Sequence, residues 1–354
     1  MKKNLYDELY LPDIQSQNRE ILETFREMIG TGLEVFAKEN NMNINDATQL
    51  FQTKLNNIPI RIFDERTLKQ DYPEIEERLS LKLGVTDLVF DPNNSEKPVQ
   101  KAIYLNSCLL GDKEELKSTF MHEMYHLVLS DDKLNFRNGQ YVYNLGCHET
   151  CFENGNVVNN VGRQLHEGLV ARMQKKFCQK EGIKFQEKGL FASGYTNEIK
   201  IIDKFEKISG RKISPNKKLA SLKFDCKEIE EIAKLLDNSE YDKCEEVLKE
   251  YKDKKIEQTY GSGIANLVRN IRNVKDNVVL GISNIFNKNK EVKMLEAPKN
   301  ISDTEDNIPK VKTASQKFAE SLKCENLKTL PNNVYKNYNN NKSVQKSTDY
   351  RDFD

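Results

Sequence analysis

The stretch from Asp112 to Asp132, DKEELKSTFMHEMYHLVLSDD, carries the HExxH pattern of this chain in His122, Glu123 and His126. Its residues favour a helix. Gly111-Asp112 supplies a break and an N-cap, and Glu115 three residues on completes a capping box. Ser130, Asp131 and Asp132 stop it, and neither Gly nor Pro interrupts the interval. Two histidines four residues apart on a helix lie one turn apart on one face, so both imidazoles reach a single ion. Glu123 leaves the helix about 100° round from His122. That puts its carboxylate beside the ion, where it serves as general base towards water.

The neighbours Phe120, Met121, Met124, Tyr125, Leu127 and Val128 are uncharged, so this helix is expected to be mostly buried. Unpaired His and Glu would be costly there. Two of the four histidines in the chain lie in the motif. A third ligand candidate is Glu167, in NNVGRQLHEGLVARMQKKF. Leu165, Leu169, Met173 and Phe177 recur every four residues and mark a second amphipathic helix. Gly168 removes a side chain and permits close approach. Two imidazoles and one carboxylate with an open fourth position form a catalytic zinc set. On spacing alone a solvated surface glutamate remains the other reading of Glu167.

HExxH followed by a downstream xEG on a helix resembles the gluzincins, zinc metallopeptidases whose third ligand is a glutamate. More narrowly, LHEGLVARM followed by GYTNEIKIIDKFEKISG is similar to uncharacterised gluzincin-like proteins of low-GC Gram-positive bacteria. The resemblance covers about residues 60–251. It implies one Zn2+ per chain held by His122, His126 and Glu167, with Glu123 as the base. It also implies a substrate-binding edge strand, placed here at Ala102–Asn106; an interior strand is the other reading of that segment. Some gluzincins carry an acidic residue four positions after the glutamate ligand, turned towards a ligand histidine. Ala171 stands there, so another group, Asp131 or Asp132, is expected to fix the histidine tautomer.

Acidic and basic residues balance at 55 each, which leaves no global field for nucleic acid or an acidic membrane. The start, MKKNLYDELYLPDIQ, lacks an apolar run after its lysines, and no 18-residue apolar segment follows. Seven scattered cysteines fit a reducing compartment. The expectation is a cytoplasmic protein without a transmembrane segment.

The fold class expected is α+β and mostly helical. A small antiparallel or mixed, zincin-like sheet packs on the HExxH helix, followed by a helical C-terminal part and a disordered tail. Residues 1–56 read as a helical scaffold, with one helix within 13–39 ending near Gly30-Thr31-Gly32 or soon after, and another capped by Asn45. Residues 57–255 read as the catalytic domain. Its strands are Ile58–Phe63, Val89-Phe90 and Lys101–Leu105. Asn138-Gly139 and Asn154-Gly155 predict hairpins between the two ligand helices. Helices over 225–236 and 239–251 close the domain.

Cys147-His148-Glu149-Thr150-Cys151 contains metal-binding residue types but has no second Cys/His pair at finger spacing, so His148 reads chiefly as a polar hairpin residue. His166 points away from Glu167 on its helix and is a candidate for contacting a ligand or substrate. Tyr195, before a helix that stops at Gly210, is a candidate oxyanion donor. The stretch 256–287 reads as one long amphipathic helix, and 288–354 as a disordered Asn- and Lys-rich tail. The helix is expected chiefly to dock back on the domain; binding a protein partner, together with the tail, or lying on a membrane surface are the other readings.

These features point to a zinc-dependent peptidase acting on peptide or protein substrates. The alternatives are a zincin-fold protein that binds without hydrolysing, and a metal-free interaction protein working through 256–354.

Overall fold

The computed structural model describes residues 12–185 and 195–261, together with Asn270. Apart from Asn270, the stretch expected as an amphipathic helix beyond Gly261 lies outside the described residues, as does the tail 288–354.

Strand β1 (Ile14–Gln15) leads into helix α1 (Arg19–Glu39), whose N-cap Asn18 accepts from the Ile21 amide at 3.2 Å. Ile21, Phe25, Met28, Ile29, Leu33 and Phe36 are buried along one stripe. The helix runs past Gly30-Thr31-Gly32 to Glu39. Helix α2 (Ile44–Leu55) begins at Asn43, not Asn45, because the Asn43 side chain is the one that accepts from an amide, that of Asp46.

Strand β2 (Ile58–Phe63) follows, then the short helices α3 (Leu68–Asp71) and α4 (Glu76–Leu79), and strands β3 (Gly84–Val89) and β4 (Gln100–Asn106). The sheet order is β1-β2-β4-β3. β2 runs parallel to both β1 and β4, whereas β3 is antiparallel to β4. Two expectations need correction. The third strand spans Gly84–Val89 and stops before Phe90. Ala102–Asn106 is interior, flanked by β2 and β3, so it is not the edge strand. Its side chains are buried at every one of these positions, as a central strand covered on both faces requires. β3, with Thr86 and Asp87 in its middle, takes the outer position.

Helix α5 (Lys113–Leu129) carries HExxH. Asp112 accepts from the Glu115 amide at 3.2 Å, as expected of the N-cap, and its own amide donates to the Leu109 carbonyl. The helix stops at Ser130, whose hydroxyl returns to the Leu127 carbonyl. α5 is packed on one side by α1 and α2 and on another by β3 and β4. At the α1 crossing, a Cβ on Gly32 would overlap the Met121 methyl and lie 2.6 Å from its sulfur. Tyr125 donates to the Gly32 carbonyl at 3.2 Å.

A second sheet, an antiparallel meander, comprises β5 (Asn135–Arg137), β6 (Gln140–Leu145), β7 (His148–Glu153) and β8 (Asn156–Val161). Both expected hairpin turns form. Asn138 and Gly139 have φ 51° and 81°, and Asn154 and Gly155 have φ 52° and 77°, the paired positive φ of a type I′ turn.

Helix α6 (Arg163–Glu181) then packs against α5 and α1. Leu165, Leu169, Met173 and Phe177 are fully buried, each contributing roughly 1.5–3 kcal/mol. Gly162 offers α6 no side-chain cap. Asp237 supplies it, its two carboxylate oxygens accepting from Gly162 at 2.6 Å and Gln164 at 2.8 Å. Helix α7 (Thr196–Ser209) stops at Gly210, as expected. It meets α6 where a Cβ on Gly168 would lie 2.7 Å from Glu198 Cβ. Buried Arg172 ties α6 to α1 through Glu39 at 3.5 Å and to α7 through Glu206 at 3.0 Å.

The helix expected over 225–236 forms as α9 (Glu228–Asp237), starting three residues later; it is preceded by α8 (Leu219–Asp225), with Cys226 between them in extended backbone. Helix α10 (Tyr241–Tyr260) outruns the expected 239–251. The division between two compact units falls within this helix: among the described residues, those up to Glu245 belong to one unit and those from Glu246 to the other. Among the described residues no helix is long and apolar enough to cross a membrane. The architecture is α+β, with one mixed and one antiparallel sheet.

Candidate metal centre

One turn of α5 separates His122 from His126, and their rings meet edge to face with centroids 4.7 Å apart. The two Nε2 atoms are 3.0 Å apart. From α6, Glu167 Oε2 reaches to 3.7 Å from His122 Nε2 and 3.3 Å from His126 Nε2. Among the described residues this is the one group of His, Cys, Asp or Glu side chains arranged to hold a metal. Tetrahedral zinc with bonds of 2.0–2.1 Å sets its donors about 3.3 Å apart. The three observed separations bracket that value, so the residues fit the ion.

Electrostatics support the same grouping. Burial alone would raise the Glu167 pKa, but the His126 and His122 imidazoles hold it well below the ordinary carboxylate value. Burial opposes charge on His126, and the Glu167 carboxylate outweighs it, raising the His126 pKa. Glu167 and His126 thus favour each other's charged form.

Glu123 is buried on the side of α5 that faces β3. Thr86 Oγ1 of that strand lies 2.9 Å from its Oε2. A Cβ on Gly84 would lie 2.9 Å from Glu123 Cγ, so the absence of a side chain there makes room for the carboxylate.

No family model matches the chain, and neither a curated protein nor a solved structure matches it. The reading of the site therefore rests on its own geometry.

Asp131 and Asp132 do not orient the histidines. Asp131 binds Asn135, Asn144 and Lys218, and Asp132 binds Lys54 and Lys101. The groups that reach the ring Nδ1 atoms come from α6. Gln174 Oε1 lies 3.0 Å from His122 Nδ1, and His166 Nε2 lies 2.9 Å from His126 Nδ1. Burial, followed by the His126 charge, keeps the His166 pKa well below the usual value, so that ring is neutral.

Tyr195, immediately before α7, stacks on His122 with ring centroids 6.4 Å apart and planes 10° from parallel. Burial and then the Glu167 carboxylate push its phenol pKa well up, and its hydroxyl is bonded to Glu167. Ala171 is buried and polar-free, as its residue type requires. Cys147 and Cys151 are free thiols, and His148 Nε2 meets Asn160 Oδ1.

Gln174, Ser118 and Thr86 escaped the sequence reading because none belongs to a motif. Gln174 left one usable signal. It stands seven residues after Glu167, two turns along the same helix face.

Proposed function

We propose that this chain is a zinc-dependent hydrolase acting on peptide bonds, as the gluzincin resemblance of its HExxH and HEG segments implies. The observation that carries the reading is the convergence of His122, His126 and Glu167 at tetrahedral spacing, with Glu123 next in sequence and turned to β3. Zinc, when bound, supplies a Lewis acid that polarises a carbonyl and acidifies water. His122, His126 and Glu167 are the side chains that hold it. Glu123 takes a proton on its carboxylate during attack and returns it to the leaving amine. Thr86 restrains that carboxylate. Tyr195 supplies a hydroxyl at the Glu167 side of the site for a developing oxyanion, once released from Glu167. The zincin-like class assignment and a peptide or protein substrate belong to this same reading.

A second reading is zinc held without turnover. The two readings share the metal and divide on Glu123.

Elemental analysis of the purified full chain, with His126→Ala and Glu167→Ala alongside, tests the proposal. One zinc per chain, lost or much weakened in both variants, is the expected result. Wild-type protein that takes up no zinc when it is supplied would refute it. Hydrolysis of a peptide library by wild type but not by Glu123→Gln then separates the enzyme from the binding protein.

A further inference from the structure

We propose that Gln174 is the positioning residue of the metal centre, locking the proton of His122 onto Nδ1 and so presenting a bare Nε2 lone pair to the ion. The metal in this statement rests on the preceding reading; the tautomer does not.

The inference starts from an atom with no freedom. The Ser118 backbone carbonyl oxygen only accepts hydrogen bonds. It lies 3.1 Å from one terminal atom of the Gln174 amide, and Ser118 Oγ lies 2.9 Å from the same atom. An amide oxygen facing a carbonyl oxygen would repel it, so that terminal atom is the NH2 group. The orientation of the side-chain amide is thereby set by chemistry. The other terminus is Oε1, also an acceptor only, and it faces His122 Nδ1 at 3.0 Å. Two acceptors do not share a hydrogen bond, so Nδ1 carries the proton. In a neutral imidazole, Nε2 is then the lone-pair nitrogen, and Nε2 is the atom turned towards Glu167 and His126.

The arrangement is built. Gln174 is buried, and Cys178 Sγ lies 3.3 Å from Ser118 Oγ, closing the far end of the chain of bonds. A carboxylate at this position would accept from His122 equally well, but it would set a charge against the Ser118 carbonyl. A neutral amide satisfies both ends. It also explains how the centre manages with Ala171, where no side chain reaches a ligand. The orienting group sits almost one turn further along α6 and has one more methylene than aspartate with which to reach back.

Long-range 1H–15N spectra of the metal-free full chain test this directly, since the chain has four histidines and His122 is assigned by its loss in His122→Asn. The expected spectrum shows His122 protonated on Nδ1 in wild type and in Gln174→Glu, and displaced towards the Nε2 tautomer in Gln174→Leu. Zinc affinity of Gln174→Leu, measured by chelator competition, should fall about 10–100-fold. An Nε2-protonated His122 in wild type overturns the proposal, as does an Nδ1 tautomer that survives in folded Gln174→Leu. The wild-type spectrum suffices on its own if the leucine variant fails to fold. Wild type that binds no zinc but shows the Nδ1 tautomer would remove the hydrolase reading and leave the role of Gln174 standing.

Discussion

Thr86 Oγ1 lies 2.8 Å from the backbone carbonyl oxygen of Glu123 and 2.9 Å from its carboxylate Oε2. One hydroxyl on the outer strand thus addresses the main chain and the side chain of the same residue. The strand is tied to the helix, and the carboxylate is tied to the strand. Replacing Thr86 by valine keeps the shape and removes the tie. Zinc content should be unchanged and kcat should fall by up to about 10²-fold with little change in KM, the cost of a misplaced group. Thr86→Ser should recover most of the loss, on any peptide that wild type cleaves. An equal loss in serine and valine variants would refute the role of the hydroxyl.

Glu123→Gln keeps the volume of the side chain and can still accept from Thr86, but it cannot carry a proton for the reaction. Hydrolysis is expected to drop about 10²–10⁴-fold. Zinc stoichiometry should stay at the wild-type value. Loss of zinc in this variant would make Glu123 a ligand and undo the assignment of roles.

Two glycines predict opposite outcomes for the same substitution. Alanine at Gly168 would lie 2.7 Å from Glu198 Cβ and 2.9 Å from Ile202 Cδ1. The gain in helix propensity is about 1 kcal/mol, against about 1–3 kcal/mol for overpacking. Gly168→Ala should therefore lower the chemical denaturation midpoint and weaken zinc binding, because α7 must move away from the helix that carries Glu167. At Gly32 the obstacle is the thioether end of Met121, which swings aside readily, so Gly32→Ala should be neutral or mildly stabilising. If Gly32→Ala proved the more damaging of the two, this account of the helix contacts would be wrong.

Acid should weaken the fold through His148. Burial lowers its pKa to about 4 from an ordinary 6.5. Between those values the unfolded chain binds the proton and the folded chain does not, so this contribution is complete above pH 6.5 and is lost progressively as pH falls to 4. At about 1.4 kcal/mol per pKa unit, the total is roughly 3 kcal/mol. His166 shifts in the same direction. Denaturant midpoints of the metal-free protein should decline across this window, and less steeply in His148→Gln. Identical slopes in the two proteins would exclude His148 as a source.

The parts legible in the sequence were those written by neighbours along the chain. Asp112 and Ser130 bounded the HExxH helix, Leu165 through Phe177 declared the face of the second, and the Asn-Gly pairs at 138 and 154 declared their turns. Local signals also placed β2 and β4 but not their order, since β2 pairs with β4 across some forty residues, Ile60 opposite Ile103. That pairing makes β4 central and gives the outer place to Gly84–Val89, which has no strong strand signature. Asp131 and Asp132 were plausible partners for the histidines only while Lys54, Lys101 and Lys218 were unplaced; once these lysines arrive, both carboxylates are engaged elsewhere. Gln174 was hidden for a different reason. Its meaning lies in a carbonyl of another helix, and nothing near it in sequence reports that carbonyl.

The cap that Asp237 places on α6 comes from 75 residues downstream of Gly162. Losing such a cap costs a helix about 0.5–2 kcal/mol and frays its first turn, and Glu167 lies just beyond that turn. During synthesis the chain therefore exposes both histidines, then the glutamate, well before the residue that steadies the glutamate's helix has been made. The full steadiness of that helix is reached only with Asp237 in place, so a chain cut short before it would carry Glu167 just beyond a frayed turn.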